Sequence, residues 1–158
     1  MGPRIVHSLF WGINILESLD HCISLNDFQF SISSQVERNS IAIVEDDEDS
    51  AYFYKEALSD NRFKVVVFTD STSASKQIRH RHSEFILVLS DIRMPRINGI
   101  ELIKRIYKTD NRIKFILMSA FDLPDIDTDS PMPPHEFIQK PVSEEKLKEI
   151  VYRNANQN

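Results

Sequence analysis

The sequence predicts an α/β fold: a doubly wound, five-stranded parallel sheet with helices on both faces. Five short runs, Ile41–Glu45, Phe63–Phe68, Phe85–Ser90, Ile113–Met118 and Glu136–Gln139, are rich in β-branched and aromatic residues. Most lack polar alternation, as strands buried on both faces require. Helical patterns fall between these runs, and strands alternating with helices imply βαβ units. Asp49–Leu58 puts Ala51, Tyr54 and Leu58 on one helical face. Ser71–Arg79 follows Asp70, a candidate N-cap. Ile100–Lys108 turns Ile103, Ile106 and Tyr107 inward and carries Lys104, Arg105 and Lys108 in its last turns, where cations complement the helix dipole. Ser143 can cap a last helix with Glu144 and Glu145 in its first turn and Leu147, Ile150 and Val151 toward the core.

Composition narrows the function. With 158 residues, 41% of them hydrophobic and 27% charged, the chain can bury one sizeable core. A formal net charge of -5 argues against a nucleic-acid surface as its main business. The only glycines are Gly2, Gly12 and Gly99, too few for a phosphate-cradling loop or a dinucleotide fingerprint. Cys22 is the single cysteine, so no internal disulfide can form, and no Cys/His cluster has zinc spacing. Residues 1–39 differ from the rest. Leu9, Ile13, Leu16 and Ile23 recur at helical spacing, but Asn14, Glu17 and Asp20 make the stretch too polar to span a membrane. We expect a loosely attached extension or a short amphipathic helix there, followed by a polar linker over residues 26–40.

In a doubly wound sheet, reactive groups collect beyond the carboxyl ends of the strands. Glu45, Asp46 and Asp47 end the first predicted strand, Asp91 the third, Ser119 the fourth and Lys140 the fifth. Carboxylates held close together repel, and a hard divalent cation relieves that conflict. A lysine adds a point charge suited to a phosphoryl oxygen, and an aspartate so placed can act as a nucleophile. Phosphoryl transfer asks mainly for positioning and charge neutralisation, which such a set supplies.

Four strings carry a family resemblance: IAIVEDDEDS (Ile41–Ser50), SDIRMPRING (Ser90–Gly99), ILMSA (Ile116–Ala120) and FIQKPV (Phe137–Val142). In that order they resemble the receiver domains of two-component response regulators, over about residues 40–153, with residues 154–158 as a tail. The resemblance implies strand order 2-1-3-4-5 and makes Asp91 the phosphoacceptor. It implies a magnesium ion held by Asp46 directly, by Glu45 through water, by Asp91 and by the backbone carbonyl of Arg93, while Asp47 begins the helix. Met94–Pro95 and Asn98–Gly99 would shape the following loop. Ser119 would turn its hydroxyl toward the phosphoryl group, with small Ala120 leaving access, and Phe137 matches the aromatic switch position. Lys140 would meet the phosphoryl group, and Lys140–Pro141 resembles the family's cis bond.

One departure stands out. Where a receiver places its fourth helix, this chain reads FDLPDIDTDSPMPPH, with Pro124, Pro131, Pro133 and Pro134, and interior prolines predict a shortened or irregular element. Asp125, Asp127, Asp129 and Glu136 mimic a calcium loop, but Ser130 stands where glycine is needed. Asp125–Thr128 also resembles the nucleophile motif of aspartate-based phosphatases, without the preceding strand. The RHRH run, Arg79–His82, reads as a solvated helix end.

The expected protein is a cytoplasmic, single-domain response regulator that takes its phosphoryl group from a sensor histidine kinase or a histidine phosphotransfer protein. It would catalyse only its own phosphorylation and dephosphorylation and bind neither nucleic acid nor membrane. With Asn158 soon after the last helix, output would be by contact with an unknown protein target. A phosphorylation-independent binding module is the alternative, and a magnesium-dependent phosphohydrolase a third reading.

Overall fold

The computed structural model describes residues 38–60, 62–120, 133 and 135–156. Its strands are β1 (Ser40–Val44), β2 (Lys64–Phe68), β3 (Phe85–Asp91), β4 (Lys114–Ser119) and β5 (Glu136–Gln139). All pair in parallel, in the order β2-β1-β3-β4-β5. Four α-helices are described, α1 (Glu48–Leu58), α2 (Ser71–His80), α3 (Gly99–Tyr107) and α4 (Glu144–Ala155), with one 3-10 turn at His82–Glu84. The predicted sheet and its order are both present. The irregular element expected between Ser119 and Glu136 falls mostly on 121–132 and 134, outside the described residues, as does nearly all of the loosely attached extension or short amphipathic helix expected over residues 1–39. No described helix is long and apolar enough to cross a membrane.

The helices start where short-range chemistry tells them to. Asp47, Asp70, Asn98 and Ser143 sit in extended backbone, and each side chain accepts a bond from an amide three residues on. Asp70 and Ser143 match the predicted caps, and Asp47 begins its helix as expected.

Successive strand side chains alternate between faces, and here both rows are apolar. Ile41, Ile43, Leu87, Leu89, Ile116, Met118 and Ile138 face Tyr54, Leu58, Leu147 and Val151 of α1 and α4. Ala42, Val44, Val88, Phe115 and Leu117 face Ala74, Ile78, Leu102, Ile103 and Ile106 of α2 and α3. The central β3 is buried along its whole length. Tyr107, expected inward, is half-buried and packs edge-on against Phe115, while Leu102 takes the fully buried place. β1 has neighbours on both sides, so the chain crosses from β2 to β3 over it, and the ends of β1 and β3 face the crevice where the winding reverses.

Candidate functional site

The pleat decides which strand-end side chains meet. By the period of two, Glu45 continues the Ile41–Ile43 row, Asp91 the Leu87–Leu89 row and Lys140 the Ile138 row, all on the α1/α4 side. Pairing runs one residue past two strands to hold them: the Glu45 amide donates to Phe68 O at 3.1 Å and the Lys140 amide to Ser119 O at 2.7 Å. The Lys140–Pro141 bond is cis, as the resemblance implied.

Lys140 Nζ lies 2.7 Å from Glu45 Oε2 and 2.7 Å from Asp91 Oδ1. Carboxylate oxygens of Glu45, Asp46 and Asp91 lie within 4.8 Å of one another. Glu45 and Asp91 are buried and Asp46 is exposed. Three carboxylates against one ammonium leave the ionised cluster two negative charges in excess.

The electrostatics follow from burial first and from that imbalance second. Burial pushes the Glu45 carboxyl above its ordinary value, and the Lys140 hydrogen bond only partly offsets it. Burial by itself would lower Lys140, but hydrogen bonds to Asp91 and Glu45 outweigh it and hold the ammonium well above the usual lysine range. Tyr54 of α1 lies behind the cluster, with Lys140 Nζ 5.9 Å from its ring centroid, and burial raises its hydroxyl. Hard oxygen donors with excess negative charge suit a divalent cation such as magnesium.

The loop after β3 fixes the Asp91 carboxylate from the other side. Its Oδ2 accepts the Arg93 amide at 2.8 Å, and the Arg93 side chain is exposed. The Gly99 amide donates to Ile92 O at 3.0 Å, so close that a Cβ at Gly99 would lie 2.2 Å from Asp91 O. Here the backbone approach itself demands glycine. Ser71, the first residue of α2, donates to Pro95 O at 2.7 Å and accepts from the Ile97 amide at 3.2 Å. Arg96, between them, adopts a left-handed φ of 68° and pairs with Asp70.

Ser119 is buried at the end of β4, one strand away from Asp91. Phe137 pairs with Leu117 across β4 and β5, is half-buried against the α2/α3-side core, and meets His135 edge-on with centroids 4.6 Å apart. Ser119 and Phe137 therefore belong to the opposite pleat row from Lys140. The structure gathers Glu45, Asp46, Asp91 and Lys140 into one cluster, carries Arg93 on the adjoining turn, and keeps Ser119 and Phe137 on neighbouring strands.

Sequence reasoning missed a second buried charge. Asp110, with its side chain 3% exposed, accepts from Arg112 Nε at 3.0 Å and lies 2.9 Å from His82 Nδ1, and Arg38 pairs with it too. The only signal was Asp110 itself, one acid amid Arg and Lys, since its partners come from distant segments. The RHRH run divides: Arg81 pairs with Glu84 at 2.5 Å and His82 reaches Asp110, while Arg79 and His80 stay exposed. The calcium-like and phosphatase-like motifs fall mainly outside the described residues.

Comparison with known proteins agrees with this geometry. Residues 41–152 match the family model described as "Response regulator receiver domain". The response regulator receiver protein CpdR of Brucella abortus is 32% identical over 93 residues, 59% of this chain and 76% of its own. The chain spans less than half the length of three further curated relatives. A response regulator receiver domain from Clostridium thermocellum superposes with a TM-score of 0.66 at 18% identity, covering 75% of this chain and 95% of that one. CheY in a CheX–CheY–BeF3–Mg complex from Borrelia burgdorferi gives 0.65 at 21% identity, covering 73% and 87%. These two likenesses bear on the fold alone, whereas the family model reaches from the first strand to the last helix. This chain belongs to the response regulator receiver domains, the phosphoacceptor signalling switches of two-component systems.

Proposed function

We propose that the switch is thrown by phosphorylation of Asp91, the phosphoryl group coming from a phosphohistidine on a sensor kinase or phosphotransfer protein. The observation that carries this is Lys140 bridging Glu45 and Asp91 in a cluster with unbalanced negative charge. An Asp91 carboxylate oxygen attacks phosphorus, the P–N bond to the donor imidazole breaks, and the departing nitrogen keeps the electron pair and takes up a proton. Lys140 is poised to exchange one carboxylate contact for a phosphoryl oxygen. Asp46, Asp91 and the Arg93 carbonyl, with Glu45 through water, would hold magnesium, which supplies charge neutralisation between acceptor and phosphoryl oxygens. Ser119 would turn its hydroxyl to the new phosphoryl group and Phe137 would follow, shifting a two-state equilibrium.

In this reading the receiver runs from residue 40 to the end of α4 at Ala155, two residues past the expected boundary at 153 because Ala155 packs into the core, and is preceded by an extension over 1–39. The protein acts in the cytoplasm beside its kinase, catalyses only its own phosphorylation and dephosphorylation, and passes the signal on by protein contact. Incubation with magnesium and acetyl phosphate tests the reading by intact-mass spectrometry. The native chain gains one phosphoryl group and Asp91→Asn gains none. Labelling of Asp91→Asn, or none of the native chain, refutes it.

A further inference from the structure

We propose that the basic groove between α2 and α3 docks an acidic polypeptide segment of a partner protein. The residues 71–112 carry nine Lys and Arg against four Asp and Glu, in a chain whose formal net charge is -5. All four acids are engaged or buried: Asp91 in the site, Asp110 in its own cluster, Glu84 with Arg81 and Glu101 with Arg105. What remains facing solvent is positive. Lys76, Arg79 and His80 line one wall from α2, at a spacing that puts them on one helical face, and Arg105 lines the other wall from α3. Arg79 Nε donates to Thr109 Oγ1 at 3.1 Å, which holds its guanidinium along the groove. No carboxylate among the described residues lies in salt-bridge range of Lys76 or Arg79.

The lining chooses among anions. The alkyl stems of Lys76, Arg79 and Arg105 offer apolar surface beneath their charges, Ile97 adds little at 6% exposed, and Thr72 and Thr109 offer hydroxyls. An acidic peptide, with carboxylates and apolar side chains on one backbone, matches the charges and the stems. A nucleic acid would find too few cations to repay the repulsion from a chain of net charge -5. The groove lies on the α2/α3 side of the sheet, away from the Lys140 row, so a partner held there leaves that row free.

The test uses the full chain carrying Asp91→Asn, so that its outcome is independent of phosphorylation. A fluorescein-labelled peptide of alternating Glu and Leu is titrated by anisotropy at low salt, beside oligothymidylate and inorganic phosphate, and amide shifts are mapped by two-dimensional NMR. The peptide moves amides of Thr72–His80 and Arg105–Thr109, and binds more tightly than the oligonucleotide. Lys76→Glu with Arg79→Glu weakens it at least about tenfold. Lys55→Glu with Lys146→Glu makes the same charge change on exposed sites of α1 and α4, and costs less than about threefold. Equal weakening by both pairs overturns the proposal, because net charge alone would then explain binding. Tighter binding of oligothymidylate, equal shifts from phosphate alone, or shifts confined to other elements also overturn it. The NMR map decides even if a charge-reversed variant folds poorly.

Discussion

At the scale of single residues, Lys140 has one charge and two buried acids to satisfy. Its removal leaves Glu45 and Asp91 facing each other without a counter-ion. Lys140→Met should therefore lower unfolding free energy without magnesium by about 3 kcal/mol, read as a shift in urea midpoint, and added magnesium should restore part of it. Asp110 is the stability counterpart. Burial would raise its pKa, but hydrogen bonds from Arg112, Arg38 and His82 outweigh that and hold the carboxyl far below the usual carboxylate range. A depressed carboxyl contributes stability above its unfolded pKa and loses it as pH falls. Asp110→Ala should cost about 2 kcal/mol near neutral pH and should flatten the acid limb of stability below about pH 4. An unchanged acid limb would mean that the cluster contributes nothing.

At the scale of elements, the loop from β3 to α3 is built to hold the Asp91 carboxylate still. Gly99→Ala forces a Cβ to within 2.2 Å of Asp91 O, so either the helix start or the Asp91 backbone must move. We expect a loss of about 2 kcal/mol or more, the range of overpacked buried sites, and a slower phosphorylation rate with acetyl phosphate. Ser71→Ala removes the bonds to Pro95 O and Ile97 N and should cost about 1 kcal/mol. If Gly99→Ala melts and labels like the native chain, the close approach is not what positions Asp91. The helices themselves were legible because their signals are local. Asp70 and Ser143 announce their helices within one turn, and apolar spacing marks the buried faces. Leu102 taking the buried place beside half-buried Tyr107 was not legible, since a small rotation of α3 on the sheet decides it.

For the whole molecule, magnesium held as proposed in the acid cluster would couple folding to cation binding. A ligand that binds only the folded state stabilises it by mass action, so magnesium at ten times its dissociation constant should contribute about 1.4 kcal/mol. For a domain of this size that is roughly 5 °C in melting temperature. Asp46→Asn should abolish the response and, by removing one of the crowded carboxylates, raise stability slightly in chelator. Loss of the magnesium response with no gain in chelator would show that repulsion within the cluster is already relieved by water.

What the sequence by itself determined is what short range controls: where strands and helices begin, which rows of side chains are apolar, and that acids and a lysine end particular strands. From period and punctuation alone those features predict a doubly wound sheet, and the resemblance carried by the four motifs implies its order and the proposed acceptor, Asp91. Only the tertiary structure decided which charges touch. Glu45 and Lys140 are 95 residues apart and meet because strand pairing aligns their rows, and Arg38, His82 and Asp110 converge because they lie just before the adjacent parallel strands β1, β3 and β4. Electrostatic pairing depends on distance through space, and distance through space between remote segments exists only after the sheet has formed.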